Sequence, residues 1–237
     1  MEEEQLKRIF EFLEEKEKRR APFLWKHMND IPLTEKDLTI EGDLDLEYTN
    51  ITSLPEGFKV GGDLYLAQSK ITSLPEGLEV GGHLSLNDTD ITSLPKGLKV
   101  KMDLNLEYTN ITSLSEGLKV GGNLSLYDSN ITSLPEGLEV GGNLDLSYTK
   151  ITSLPKGFKV GRDLSLFGCE QITSLPEGLK VGGNLDLRHI KITSLPKGLK
   201  VGGMLYMGST KLEKYTDEEL REIVASTGGE IGGKIIK

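Results

Sequence analysis

The amino-acid sequence predicts a β-solenoid, a stack of short coils with parallel strands and one continuous core. The first observation is an internal repeat: from Gly42 a unit of 20 residues recurs about nine times, as in residues 62–81 and 82–101. The second is that two leucines in every unit alternate with polar residues, which is typical of a half-buried strand. The third is regular Pro and Gly punctuation, which leaves no stretch within a unit long enough for a helix.

The same six apolar positions recur in each unit and predict the core. In the second unit they are Leu64, Leu66, Ile71, Leu74, Leu78 and Val80. One unit has too little apolar surface to fold alone, so the units are expected to stack and to bury these side chains against one another. One irregular unit carries an extra residue near Glu170 and Gln171.

The sequence on either side of the repeats predicts helical caps. We expect residues 1–37 to form an N-terminal cap, because residues 4–19 place apolar side chains on one helical face. The solenoid is expected over residues 38–215, and a C-terminal helical cap and tail over residues 216–237. Thr216 and Glu219 have the spacing of a capping box. The helix should continue to about Ser226, with Leu220, Ile223 and Val224 buried, and end at Gly228 and Gly229.

The spacing Leu64-x-Leu66-x-x-Ser69-x-Ile71-x-x-Leu74-Pro75-x-x-Leu78 resembles the leucine-rich repeat, and the short 20-residue unit resembles the bacterial type found in secreted effectors. The resemblance implies a superhelical stack of about nine coils. Two features depart from the family pattern. Thr or Ser replaces the usual Asn, and we expect its hydroxyl to bond to the corner backbone. Val-Gly-Gly replaces an expected Leu, so a plain three-sided β-helix is an open alternative.

Composition narrows the classes of partner and compartment. The formal net charge of −9 disfavours direct binding to nucleic acid, which usually needs a basic surface. No apolar run is long enough for a membrane span. The single cysteine, Cys169, excludes an intrachain disulfide and favours a reducing compartment. We therefore expect a cytoplasmic protein, and the resemblance to effectors adds delivery into a host cell.

The variable positions around the strand leucines predict a binding face. They project away from the core and carry tyrosine and acidic residues, so we expect them to bind a protein partner with a basic surface. Asp43 and Asp63 are like charges on adjacent coils, an arrangement for which stability alone offers no reason. The carboxylates are denser in the N-terminal half, where we expect the partner's basic part. The predicted site residues are Asp43, Asp45, Glu47, Tyr48, Asp63, Tyr65, Asp103, Glu107, Tyr108, Tyr127, Asp128 and Tyr148.

Two other functions fit parts of the sequence. An inhibitory decoy would use the carboxylates to mimic nucleic-acid phosphates. A thiol enzyme would use Cys169, with His189 one coil away as the activating base. The three histidines lie far apart in the sequence without zinc-ligand spacing. We therefore expect a binding protein with no catalytic residues, no metal and no cofactor.

Overall fold

A computed structural model describes Phe23, Lys26 and residues 31–237. This part of the chain forms a parallel β-solenoid of about eight turns with one short helix. The predicted fold class is confirmed at this level. The predicted N-terminal helix over residues 4–19 lies outside the described residues. Phe23 is buried, and its ring centroid lies 4.6 Å from that of Phe58 in the first full coil.

Each coil contributes two strands of two residues, numbered here in chain order. The strands are β1 (Thr39–Ile40), β2 (Leu44–Asp45), β3 (Lys59–Val60), β4 (Leu64–Tyr65), β5 (Glu79–Val80), β6 (Leu84–Ser85), β7 (Lys99–Val100), β8 (Leu104–Asn105), β9 (Lys119–Val120), β10 (Leu124–Ser125), β11 (Glu139–Val140), β12 (Leu144–Asp145), β13 (Lys159–Val160), β14 (Leu164–Ser165), β15 (Lys180–Val181), β16 (Leu185–Asp186), β17 (Lys200–Val201), β18 (Leu205–Tyr206), β19 (Glu230–Ile231) and β20 (Ile235–Ile236). The helix α1 (Asp217–Ala225) lies between β18 and β19.

The even-numbered strands form one ten-stranded parallel sheet, called the even sheet below. The odd-numbered strands form a six-stranded sheet, β1 to β11, and a four-stranded sheet, β13 to β19. Equivalent positions pair throughout, for example Leu64 with Leu84. The extra residue of the irregular unit is absorbed outside the strands, because Leu164 pairs with Leu185 in the same register. Equivalent positions of successive units therefore lie above one another in columns along the solenoid.

The predicted core is confirmed. All six apolar positions of the second unit are at most 8% exposed, and their equivalents form one continuous cluster. The threonine corner is confirmed as well: the hydroxyl of Thr109 donates to the carbonyl of Leu106 at 2.7 Å, and Thr89 and Thr149 make the same bond. The hydroxyls of Ser69 and Ser129, at equivalent positions, are buried without a hydrogen-bond partner.

The Gly-Gly corner between the two strands is explained by close stacking of the coils. A Cβ on Gly81 would overlap the carbonyl oxygen of Gly61 one coil below. The amide of Gly81 donates to Val60 O at 2.8 Å, which holds the corners together. Glycine is favoured here because a Cβ in this backbone arrangement would push the coils apart.

The helix α1 begins with the predicted capping box. Thr216 Oγ1 accepts from the amide of Glu219, and Glu219 Oε2 accepts from the amide of Thr216. Leu220 and Val224 are buried as expected, but the prediction for Ile223 is wrong, since this side chain is 40% exposed. It lies on the outer edge of a helix that presents only a narrow stripe to the solenoid.

Residues 230–236 form strands where the sequence suggested a tail. The strand β19 pairs with β17, and β20 pairs with β18. The helix α1 is therefore inserted between two coils of the stack. Among the described residues, no helix has the length and apolar character needed to cross a membrane.

Candidate binding face

The outer surface of the even sheet and the turn after it contain all twelve predicted site residues. Four columns are named after their members in the second coil. The Asp63 column precedes the strand, the Tyr65 column lies within it, and the Ala67 and Gln68 columns form the turn that follows. Side chains in these columns point away from the core, because the leucines between them point inward.

The Asp63 column has a structural role that the sequence argument did not assign to it. The backbone amide of Asp63 donates to Asp43 Oδ1 at 2.8 Å, and the amide of His83 donates to Asp63 Oδ1 at 2.7 Å. Asp103 accepts from the next coil in the same way. The expectation that stability offers no reason to place Asp43 beside Asp63 is therefore wrong, since each carboxylate accepts an amide proton from the next coil.

Hydrogen bonds to the ionised form stabilise the Asp63 carboxylate. The amide of His83 lowers the pKa of Asp63, and the hydroxyl of Tyr65, at 2.8 Å from Oδ2, lowers it further. The same contact raises the pKa of Tyr65. In coil two the predicted tyrosine and aspartate thus bind each other, which leaves less of their polar surface for a partner.

Side chains in the Tyr65 column cap the turn within their own coil. Asp145 Oδ1 accepts from the amide of Ser147 at 2.9 Å, and Asp186 Oδ1 accepts from the amide of Arg188 at 3.0 Å. Asn105 accepts from the amide of Glu107 in the same way. These bonds fix the orientation of each carboxylate or amide and leave one edge of the group facing outward.

Five rings from five consecutive coils form a continuous row, here called the aromatic ladder. It consists of Tyr108, Tyr127, Tyr148, Phe167 and His189. Neighbouring ring centroids are 5.1 to 5.5 Å apart, with interplanar angles of 70° to 76°. Edge-to-face pairs of this kind are favourable by about 0.5–1.5 kcal/mol each. The rings alternate between the Gln68 and Ala67 columns, so that the row zigzags along the solenoid.

The Gln68 column has a left-handed backbone in every coil. Its φ angles are 56° at Tyr108, 59° at Tyr148 and 59° at His189. Gly168 fills the same position in one coil with a φ of 69°. This conformation favours glycine and is uncommon for bulky residues. Three of the five ladder rings are therefore attached at positions whose backbone conformation favours glycine.

Carboxylates surround the middle of the ladder. Partial desolvation raises the pKa of Tyr127, and Tyr108, Asp128 and Asp145 raise it further. Tyr108 and Tyr148 are 50% and 48% exposed, which is high for rings in mutual contact. The ladder is thus an accessible apolar row in a negative environment.

Arg188 lies at the C-terminal end of the ladder. Its guanidinium carbon is 5.0 Å from the ring centroid of Phe167 and 5.4 Å from that of Tyr206. Its Nη2 donates to Asp186 Oδ2 at 2.6 Å. The face therefore already holds one cation between aromatic rings and a carboxylate.

The structure divides the predicted site residues into two groups. Tyr108, Tyr127, Tyr148, Glu107 and Asp128 lie together on coils four to six. The remainder lie apart from the ladder, and Tyr48, although 74% exposed, makes no ring contact among the described residues. The members of this second group are Asp43, Asp45, Glu47, Tyr48, Asp63, Tyr65 and Asp103.

Five residues of the ladder region are not among the twelve predicted site residues: Asp145, Phe167, Asp186, Arg188 and His189. The signal was available as an alternation of aromatic residues between two neighbouring columns. It was obscured because the spacing of these rings departs from the 20-residue period.

Cys169 occupies the threonine corner in its coil. Its thiol is fully buried, donates to the carbonyl of Leu146 at 2.9 Å and lies 3.4 Å from Thr149 Oγ1. Burial raises the pKa of this thiol. His189 packs on Phe167 at the exposed surface instead. Within the described residues, no group of three potential metal ligands comes together.

Comparison with known protein families and with curated proteins finds no significant match. The resemblance to leucine-rich repeats therefore depends on the repeat pattern alone.

Proposed function

We propose that the chain is a non-catalytic scaffold that binds a basic protein partner through the aromatic ladder and the carboxylates around it. The observation that carries this proposal is the ladder itself. Its rings are accessible, ordered by mutual contact and arranged over five coils. Tyrosine in such a position supplies a large and rigid contact area with little entropy lost on binding.

The rings placed on the left-handed backbone support a binding role over a purely structural one. A left-handed conformation at a residue other than glycine costs on the order of 1–2 kcal/mol. The edge-to-face contacts return about the same amount, so the rings bring little net stability. Because the left-handed backbone recurs in every coil, the support comes from the choice of bulky rings at these positions and not from the backbone itself.

The charges around the ladder indicate a basic partner. Asp128 and Asp145 lie close enough to Tyr127 to raise its pKa, and both carry charge toward the same surface. A complementary positive patch would be steered to this face and would gain cation–π contacts with the rings. The carboxylates of the Asp63 column contribute less, since they are engaged by backbone amides.

The finer family identity is part of the proposal. We propose a leucine-rich-repeat-like scaffold of the short bacterial type, supported by the repeat spacing and by threonine hydroxyls at the corner where that family has asparagine. The same resemblance supports an effector role. We propose a cytoplasmic location, including a host cytoplasm, on the grounds that the only cysteine is a free thiol.

Selection from a display library of short unstructured peptides tests the proposal. The wild-type chain should enrich basic peptides, and the double variant Tyr108→Asn, Tyr148→Asn should lose them. Asparagine tolerates the left-handed backbone, so the variant should remain folded. Tyr48→Asn is the matched control, because Tyr48 has the same backbone conformation (φ 57°) but no ring contact in the ladder.

Enrichment of acidic or neutral peptides would refute the proposal, as would capture of the same peptides by the double variant. Displacement of the selected peptides by added RNA would instead support the decoy function. Circular dichroism and thermal unfolding of all three proteins establish that lost binding is not lost folding.

A further inference from the structure

We infer that the surface between Tyr127 and Asp145 is a binding site for an arginine side chain of the partner. This inference rests on the proposed function and specifies the chemistry that the face recognises. It comes from comparing two places on the same solenoid that are two coils apart.

The first place is occupied by the protein's own Arg188. Its guanidinium is held by Asp186, with Nε at 3.0 Å from Oδ1 and Nη2 at 2.6 Å from Oδ2. Its guanidinium carbon lies 5.0 Å from the ring centroid of Phe167 of the preceding coil, and that ring in turn contacts His189. A carboxylate edge and an aromatic face together provide the two features that distinguish guanidinium from other cations.

The second place repeats this arrangement. Asp145 corresponds to Asp186, Tyr127 corresponds to Phe167, and Tyr148 corresponds to His189. The ring centroids of Tyr127 and Tyr148 are 5.5 Å apart, and those of Phe167 and His189 are 5.1 Å apart. The strands β12 and β16, which carry the two aspartates, pair in register with the strand β14 between them. The one decisive difference is that Ser147 stands where the other place has Arg188.

The two carboxylates are held in the same way by their own coils. Asp145 Oδ1 accepts from the amide of Ser147, as Asp186 Oδ1 accepts from the amide of Arg188. Asp186 Oδ2 accepts from the guanidinium, whereas Asp145 Oδ2 has no hydrogen-bond partner among the described residues. The two carboxylates are therefore held by equivalent backbone bonds, and Oδ2, which binds Nη2 of Arg188 in one place, is unoccupied in the other.

Ser147 engages Oδ1 of Asp145, the oxygen that Arg188 Nε contacts at Asp186, and leaves Oδ2 unoccupied. Its hydroxyl bonds to Oδ1 of Asp145 and lies 2.7 Å from Ser165 Oγ, and the residue is 5% exposed. Ser165 replaces Tyr206 of the first place, so one side of the site is more open. An arginine from outside can therefore approach the Tyr127 ring and Oδ2 of Asp145 together.

Arginine should be preferred over lysine at this site. A guanidinium can contact the Tyr127 ring while its nitrogens face the carboxylate, as Arg188 does beside Phe167 and Asp186. An ammonium group is a point charge, is more strongly hydrated and cannot use both contacts with the same geometry. We expect a preference of about tenfold for arginine, from the contact with the ring combined with directed N–H bonds to Oδ2 of Asp145.

The test uses the full chain and three blocked glycine-rich pentapeptides whose central residue is arginine, lysine or citrulline. Binding is followed by the amide NMR shifts of residues 127 and 145–148. The arginine peptide should shift these signals and saturate, the lysine peptide should bind about tenfold more weakly, and uncharged citrulline should not bind.

Four variants locate the site. Asp145→Asn keeps the bond from the Ser147 amide but should weaken arginine binding about tenfold. Ser147→Arg should rebuild the Arg188 arrangement and abolish binding. The matched control Asn87→Arg adds the same charge to the same column beside Ser85, and should leave binding unchanged. Arg188→Ser should expose Asp186 and create a second site of similar affinity.

The outcomes separate the inference from the proposed function. Equal binding of arginine and lysine peptides, or unchanged binding by Asp145→Asn or Ser147→Arg, would overturn the arginine site while basic peptides still bound the ladder. Loss of every basic peptide from the wild-type chain would overturn both. Loss of binding in Asn87→Arg would show that overall charge, and not the Asp145 site, controls affinity, and would also overturn the inference.

Discussion

Replacing Gly141 by alanine tests whether the spacing of the coils is set by the first corner glycine. The backbone angle of Gly141 is one that alanine adopts, so without a clash the substitution would stabilise the chain by about 0.4–1 kcal/mol through the unfolded state. The new Cβ would, however, overlap Gly121 O and lie 3.2 Å from Gly121 C. The sign of the effect therefore depends on whether the coils can separate.

The expected loss of stability can be estimated from the hydrogen bonds that would break if the two coils moved apart. Gly141 N donates to Val120 O at 3.0 Å, and Gly142 N donates to Gly122 O at 2.8 Å. Loss of one such bond costs about 0.5–1.5 kcal/mol. Overpacking adds about 1–3 kcal/mol. After the unfolded-state gain is subtracted, we expect Gly141→Ala to lower the free energy of unfolding by about 1–3 kcal/mol.

The chain contains its own precedent at the end of coil three. Lys101 occupies the first corner position, and within the described residues it lacks the amide bond to Val80 O that equivalent glycines make to the coil below. A side chain at this corner thus coincides with loss of that bond. Lys101→Gly should restore it and change stability by less than about 1 kcal/mol, because the glycine entropy cost offsets the gain.

Urea unfolding followed by circular dichroism measures these differences. Gly42→Ala is the control, since a Cβ there meets nothing within 4 Å. If Gly141→Ala were as stable as Gly42→Ala, coil spacing would not be limited by this glycine and the steric reasoning would be wrong.

Three further predictions concern buried and titrating groups. Ser129→Ala should stabilise the chain by up to about 1 kcal/mol, because it removes a buried hydroxyl that has no hydrogen-bond partner. Thr109→Ala should destabilise the chain by about 1–3 kcal/mol, because it leaves the carbonyl oxygen of Leu106 without its hydrogen bond. Chemical unfolding of both variants measures these opposite changes in the free energy of unfolding. Because the pKa of Asp63 is lowered in the folded state, its ionised carboxylate stabilises the fold fully above the ordinary pKa of 3.8, and this stabilisation is lost as the pH falls toward the folded pKa. The variant Asp63→Asn should therefore show a smaller fall in melting temperature in acid than the wild-type chain. Cys169 should resist maleimide in the folded protein and react after denaturation, as measured by mass; rapid labelling of the native chain would contradict its burial and its raised pKa.

The core and the register could be predicted because the repeat fixes them. Leu64 and Leu66 share a period with their equivalents in every unit, and stacking is the arrangement that buries all of them. Thr109 at the corner was predictable for the same reason, since a hydroxyl at a fixed place in a tight turn has few partners within reach. Such local rules operate within one coil or between identical positions.

The aromatic ladder could not be predicted by the same reasoning, because it joins different positions of neighbouring coils. Tyr108 and Tyr127 are 19 residues apart, and Tyr127 and Tyr148 are 21 apart, so neither pair shares a column. The structural role of Asp43 was missed because the sequence does not show that the backbone amide of Asp63 donates to its carboxylate. This hydrogen bond offsets part of the repulsion between Asp43 and Asp63. Ile223 was misplaced because helical periodicity does not reveal how narrow the contacted stripe is.

The two kinds of sheet differ in charge, which bears on how a basic partner would dock. On the odd-numbered strands, Lys159, Lys180 and Lys200 lie in register on consecutive coils. The glutamates of β5 and β11 are engaged by lysines, as in the pair of Lys119 and Glu139 at 2.8 Å. A positive ligand is therefore repelled from the odd-numbered strands and attracted toward the even sheet, where Oδ2 of Asp145 is unoccupied.

Because the screening length at physiological ionic strength is about 8 Å, this electrostatic attraction should act on the association rate of a basic peptide and weaken with salt. Contact with the ladder, which is short-ranged, should control the dissociation rate. A ladder variant such as Tyr148→Asn is thus expected to release basic peptides faster while binding them at a nearly unchanged rate.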